Sequence, residues 1–182
     1  MRKPRPTSRD RILRAATEIA REQGAGHISL DAVAARAGLS KGGLLYNFPT
    51  KAALMEALVE VFVTEAAESL ERIEGGYRDE PNRLALAFLD AFRKNCRPRT
   101  GSGVLAAIAE DPGFVDPARR FQRALVARLK AESADPDLAL TAFLCIEGLR
   151  GMELLDMDSL GAEDTARVLD RLAALLREPE RA

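Results

Sequence analysis

An all-α fold is predicted by three features of the 182-residue chain. Alanine and leucine are abundant and β-branched residues sparse; apolar residues recur at helical spacing; and no alternating apolar run is bounded by turn residues. Glycine and proline punctuate the helical stretches. The predicted architecture is a three-helix head, a connecting fourth helix and a helical body. Its expected boundaries are 1–50, 51–76 and 77–182.

Each element has a local reason. Thr7 with Asp10 three places on forms a capping-box pattern, and Ile12, Ala15, Ala16, Ile19 and Ala20 continue it at helical spacing. Gly24 and Gly26 stop that helix. Ser29 is the expected N-cap of a short second helix carrying Leu30, Val33, Ala34 and Ala37 on one face, and Gly38 ends it. Ser40 caps a third helix through Tyr46. Pro49-Thr50 opens a long fourth helix with a stripe of Leu54, Leu58, Phe62 and Ala66, closed by Gly75-Gly76. Five further helical segments are expected at about Asn82–Arg97, Val104–Glu110, Ala118–Glu132, Asp137–Asp156 and Ala162–Arg177.

Composition narrows the function. Hydrophobic residues make up 47% and charged residues 30%, in the range of a soluble globular protein. No apolar run approaches the ~18 residues of a membrane span, and no signal-peptide pattern opens the chain, so a cytoplasmic location without membrane association is expected. One histidine and two cysteines, Cys96 and Cys145, leave no material for a zinc site or a disulfide framework, and no cofactor is expected. His27 reads as a surface loop residue and the cysteines as small hydrophobes. No nucleophile elbow, phosphate loop or dinucleotide fingerprint occurs, so no enzyme is expected. The net charge of −1 hides an asymmetry. Through Lys51 there are ten basic and four acidic residues, net +6; the remainder carries 17 and 24, net −7. A positive head on a negative body points the head at a polyanion.

Two short helices joined at Ala37-Gly38-Leu39-Ser40 fit a helix-turn-helix. Gly38 supplies the left-handed backbone that residues with a Cβ resist. The following helix presents Lys41, Gly42, Gly43, Tyr46 and Asn47 away from the core, a shape that can enter a DNA major groove. The stretch Ser29–Lys51, SLDAVAARAGLSKGGLLYNFPTK, resembles the recognition segment of the TetR family of transcriptional regulators, in which A-G-V-S-K-G-x-L-Y-x-Y/H-F-x-S/T-K recurs. Gly38, Ser40, Lys41, Gly42, Leu44, Phe48, Thr50 and Lys51 stand at the matching places, and Leu39 replaces the usual valine. Leu45 stands where tyrosine is common, Tyr46 follows one place later, and Asn47 stands where many members carry Tyr or His. The Leu-Leu-Tyr-x-Phe-Pro version resembles a subgroup of the family.

The resemblance implies a homodimeric regulator, most often a repressor, that binds palindromic double-stranded operator DNA and is released by a small-molecule effector. Lys41, Gly43 and Tyr46 are then expected in or at the lip of the groove, and Gly42 gives close backbone approach. Asn47 and Lys51 are expected on phosphates, Lys51 at the positive end of the fourth helix, and Phe48 under the recognition helix. Arg2, Lys3 and Arg5 form either a DNA-contacting arm or a solvated tail. In the body, Phe88, Phe92, Phe121 and Phe143 are the candidate walls of an apolar effector cavity, and core packing is the competing role for each. Glu147 and Arg150 either pair with each other, bridge a dimer seam or form the polar end of the cavity. Dimerisation is expected through the last two helices, with Leu138, Ala142, Cys145, Leu149 and Met152 on one and Val168, Leu169, Leu172, Leu175 and Leu176 on the other. The alternative is a helical binding or adaptor protein without a DNA role.

Overall fold

The computed structural model describes residues 6–95, 112–155, 157 and 159–178, and every regular element among them is helical. The helices are α1 (Ser8–Gln23), α2 (Leu30–Ala37), α3 (Lys41–Asn47), α4 (Lys51–Glu74), α5 (Arg83–Asn95), α6 (Asp116–Glu132), α7 (Pro136–Leu154) and α8 (Ala162–Arg177). The expected helix Val104–Glu110, the arginines and lysine at positions 2, 3 and 5, and Cys96 lie outside the described residues. Two starts come earlier than the sequence expectation, for one reason. Helix α6 opens at Asp116 and α7 at Pro136, because proline fits the first helical turn, where its missing N–H has no partner to lose. Asp135 caps α7 by accepting from the Leu138 N–H at 2.9 Å. Helix α7 also stops at Leu154, two residues early.

The chain divides into two compact units, parted between residues 63 and 64, inside α4, and again between residues 119 and 120, inside α6. In the first, α1 opens with a reciprocal cap: the Asp10 N–H donates to Thr7 Oγ1 (3.2 Å) and the Thr7 N–H to Asp10 Oδ2 (2.8 Å). That second bond holds the Asp10 carboxyl below the ordinary carboxylate range. Behind the cap, Ile12, Ala16 and Ile19 of α1 are buried with Ile28, Val33, Leu44, Phe48, Leu54 and Leu58. Three short helices thus share one core with the start of α4.

In the second unit α5 is buried almost all round. Leu84, Ala85, Leu86, Ala87, Phe88 and Leu89 are all inside, as befits a central helix rather than a surface one. Leu125 and Leu129 of α6, Ala139, Ala142, Ile146 and Leu149 of α7, and Leu169, Leu172 and Leu176 of α8 complete that core. Asn82 is buried and satisfied. Its Nδ2 donates to the Leu176 carbonyl and its Oδ1 accepts from the Asp135 N–H, both at 3.0 Å, so one side chain ties the start of α5 to the end of α8 and the cap of α7. Glu74 pairs with Arg83 (3.2 Å) and Arg128 (3.0 Å), and Glu132 pairs with the same two arginines (3.0 and 2.9 Å). The Arg128 and Arg83 guanidinium groups hold the Glu132 carboxyl below its usual range.

Candidate nucleic-acid interface

The turn between α2 and α3 is built by backbone geometry that only glycine accepts cheaply. Ser29 caps α2, its Oγ accepting from the Ala32 N–H at 3.1 Å. At the other end Gly38 adopts φ +65°, ψ +42°, and the Gly38 and Leu39 N–H groups reach back to the Ala35 (3.1 Å) and Ala34 (2.9 Å) carbonyls. Two further carbonyls at this end, of Ala37 and Gly38, accept from Arg11 Nη2 of α1 at 2.6 and 3.1 Å. A guanidinium at the negative end of α2 also interacts favourably with the helix dipole. The sequence reading missed Arg11, since no local signal couples residues 26 and 27 positions apart.

Ser40 then caps α3 by accepting from the Gly43 N–H at 3.1 Å. Leu44 and Phe48 anchor the helix in the core, as expected for Phe48, and the Arg9 guanidinium lies 5.2 Å from the Phe48 ring centre. The outward face carries Lys41, Gly42 and Tyr46, the last 90% exposed. Gly42 and Tyr46 are four apart, as are Gly43 and Asn47, so two bare positions adjoin two side chains. Asn47 is half-buried, and its Nδ2 donates to the Gly43 carbonyl at 2.9 Å, turning the amide back along its own helix. Lys41 is paired with Asp31 of α2. Lys51 is exposed at the start of α4, beyond the Thr50 cap, whose Oγ1 accepts from the Ala53 N–H at 3.0 Å. Five of the six predicted residues therefore share α3, and Lys51 stands on the next helix.

Gly42 is informative because nothing among the described residues requires it. A Cβ added there would meet only Ser40 Oγ, at 4.0 Å. Yet glycine in the first turn of a helix forgoes alanine's better propensity, a cost of up to about 1 kcal/mol. The fold therefore tolerates a cost that it does not need, on the face that α3 turns outward. Part of the head's positive charge, by contrast, is spent internally. Arg36 makes a two-pronged pair with Glu22 (3.1 and 2.9 Å) and reaches Glu18 at 3.6 Å, fastening α2 to α1. That pairing raises the Arg36 guanidinium and lowers the Glu22 carboxyl from their ordinary values.

The four body phenylalanines do not all meet. Phe88 of α5 stacks on Phe143 of α7, with ring centres 5.7 Å apart and planes at 23°. Phe92 joins them indirectly, because the Arg150 guanidinium carbon lies 4.9 Å from the Phe88 ring centre and 5.8 Å from that of Phe92. Phe121 is partly buried against the same core. Of the roles open to Glu147 and Arg150, pairing is observed: Arg150 Nη1 is 2.6 Å from Glu147 Oε1. Gln122, unnoticed in the sequence, donates to Glu147 Oε2 at 2.7 Å. Burial pushes the Cys145 thiol up, consistent with a small hydrophobe. His27 is exposed on a short turn, Ala25–His27, as expected.

The expected dimer face on α8 needs correction. Leu169, Leu172 and Leu176 are buried in the protomer's own core, because α5 takes up that stripe. Ala142 and Leu149 of α7 are likewise inside. The large apolar side chains left exposed on these two helices are Leu144, 68% exposed, and Val168, while Met152 and Leu175 are half-buried. Gly148 and Gly151, four and seven places after Leu144 on α7, have open space where a Cβ would point.

Residues 12–58 match the family model for bacterial regulatory proteins of the tetR family, and residues 82–177 match the tetracyclin repressor-like C-terminal domain. No match was found among curated protein sequences. Among solved structures, a member of the TetR family from Streptomyces coelicolor A3 is 25% identical, with 92% of this chain and 98% of that one covered and a TM-score of 0.61. The multidrug binding protein EbrR in complex with malachite green is also 25% identical, at 92% and 98% coverage and a TM-score of 0.62. A transcriptional regulator from Rhodococcus sp. Rha1 is 22% identical, at 93% and 96% coverage and a TM-score of 0.64, and so shares the fold. With a helix-turn-helix whose recognition helix is turned outward, and family models matching both head and body, the chain belongs to the TetR family and is a DNA-binding transcriptional regulator.

Proposed function

We propose that the protein is a homodimeric repressor that holds a two-fold-symmetric operator through α3 and leaves it when a small molecule binds the body. The observation that carries the DNA-reading face is Gly42, a glycine in the first turn of α3 whose missing Cβ serves no contact among the described residues. Lys41, Gly43 and Tyr46 work in or at the lip of the groove, while Asn47 and Lys51 hold phosphates. Asn47 must give up its bond to the Gly43 carbonyl or use its second amide hydrogen to do so. A dimer reads two half-sites about 34 Å apart or a multiple of that. Footprinting DNA upstream of its own coding sequence, followed by gel-shift titrations at several salt concentrations, tests this reading. Lys51→Ala is expected to weaken binding to every sequence and to reduce the salt slope by about one. An unchanged slope removes Lys51 from the interface.

The segments 1–50, 51–76 and 77–182 act as DNA-binding head, connecting helix and effector-binding, dimerising body. The protein works by binding rather than catalysis, in the cytoplasm; no described helix is long and apolar enough to cross a membrane. Phe88, Phe92, Phe121 and Phe143 line the effector site, with Glu147 and Arg150 at its polar end. EbrR's complex with malachite green, an organic cation, makes that dye a suitable probe. Release of the operator by malachite green, with altered potency in Phe92→Ala and Phe143→Ala, supports this placement. Equal potency in both variants and wild type refutes it.

The dimer seam runs over the outward face of α7 and α8, where Leu144 and Val168 are exposed and Gly148 and Gly151 permit close approach. Leu144→Asp is expected to give a folded monomer by sedimentation that binds the operator weakly. Leu172→Asp is instead expected to unfold the body, since it buries a charge in the core. A folded Leu172→Asp monomer reverses the assignment of the two faces.

A further inference from the structure

Lys41 is the first residue of α3, the positive end of that helix, where the backbone dipole disfavours a cation. Its Nζ lies 3.0 Å from Oδ1 and 3.1 Å from Oδ2 of Asp31. Asp31 sits in the first turn of α2, where the same dipole favours its own charge. Both side chains are open to solvent, 58% exposed for Lys41 and 72% for Asp31. The pair therefore adds little to stability. What it does change is the surface that α3 offers beside Gly42 and Tyr46: one positive charge arrives there already accompanied by a negative one.

We infer that Asp31 is a specificity-determining residue, which keeps Lys41 from non-specific phosphate contacts while leaving it free to read a base edge. The inference rests on the placement of Lys41 at the DNA surface. A phosphate approaching Lys41 on any duplex must compete with the Asp31 carboxylate and is repelled by it. A base edge carries no net charge and suffers no such repulsion. The lysine ammonium has three donors, so it can keep Asp31 and still donate to an acceptor such as guanine O6 or N7. The carboxylate can itself accept from a cytosine amino group. Non-specific binding depends on phosphate contacts almost alone. Asp31 therefore lowers affinity for random DNA more than affinity for the operator.

The experiment compares wild type, Asp31→Asn, Lys41→Ala and the double variant on the footprinted operator and on a scrambled-sequence duplex of equal length, across a salt series. Asp31→Asn is expected to bind the scrambled duplex about two- to fivefold more tightly, with a salt slope steeper by about one. Its operator affinity changes less, so its specificity ratio falls. In the Lys41→Ala background the same substitution gives a smaller gain on the scrambled duplex, because only the direct repulsion between the carboxylate and phosphate is relieved. A rise in affinity distinguishes this role from a structural one, since damage to α2 lowers binding. Unchanged or reduced scrambled-duplex affinity in Asp31→Asn, or an equal gain without Lys41, overturns the role of Asp31. Wild-type operator binding by Lys41→Ala instead overturns the placement of Lys41 itself.

Discussion

Gly42→Ala is expected to leave the head as stable as wild type or up to about 1 kcal/mol more stable, and to weaken operator binding roughly tenfold or more. The two effects have opposite signs because they have separate causes. Within the protein the new methyl group meets only Ser40 Oγ, at 4.0 Å, so the helix gains alanine's better propensity at no steric cost. On the DNA side the methyl stands on the outward face of α3, between Lys41 and Tyr46, where it holds the helix away from the groove. Loss of a single good base contact already costs about 1–3 kcal/mol, and displacing the helix disturbs more than one. Urea unfolding followed by circular dichroism, alongside gel shifts, separates the effects. If Gly42→Ala binds the operator as wild type does, α3 does not approach DNA through this face.

Gly38→Ala is expected to act in the reverse sense, destabilising the head by about 2–3 kcal/mol and losing operator binding as a consequence. At φ +65° a residue with a Cβ costs roughly 1–2 kcal/mol. The added Cβ would also stand 3.1 Å from Arg11 Nη2, whose two bonds to the Ala37 and Gly38 carbonyls leave it little room to yield. Arg11→Ala is expected to cost about 1–3 kcal/mol by stripping those carbonyls of a charged donor. The double variant should lose less than both changes together, because they act on one turn. A lower urea midpoint for both single variants, with Gly38→Asn milder than Gly38→Ala, is the predicted pattern, since asparagine tolerates the left-handed region better. An unchanged midpoint in Gly38→Ala shows that the turn has another support.

The two predictions draw on different kinds of information. That Gly38 ends α2 and that Thr7, Ser29, Ser40 and Thr50 open the first four helices could be read from the chain, because caps and left-handed turns are settled within three or four residues. The helix-turn-helix and the outward set on α3 follow from the same local rules, since a seven-residue helix anchored by Leu44 has its exposed face decided. Partners distant in sequence were not legible. Nothing near Arg11 announces the carbonyls of Ala37 and Gly38, and nothing near Arg150 announces the rings of Phe88 and Phe92.

Local pattern was thus enough for the helical class, the order and caps of the head, and the exposed positions Lys41, Gly42 and Tyr46 of α3. It also showed amphipathic stripes on the last two helices, because hydrophobic periodicity is written directly in the chain. Which surface each stripe meets was decided only by tertiary packing. Leu172 and Leu176 were open to a second copy until α5, buried on nearly every side, claimed them for the protomer's own core, leaving Leu144 and Val168 outside. Charge shows the same division: a count of lysines and arginines is fixed by composition, but whether Arg36 fastens α1 to α2 and Lys41 faces Asp31 depends on which helices fold side by side.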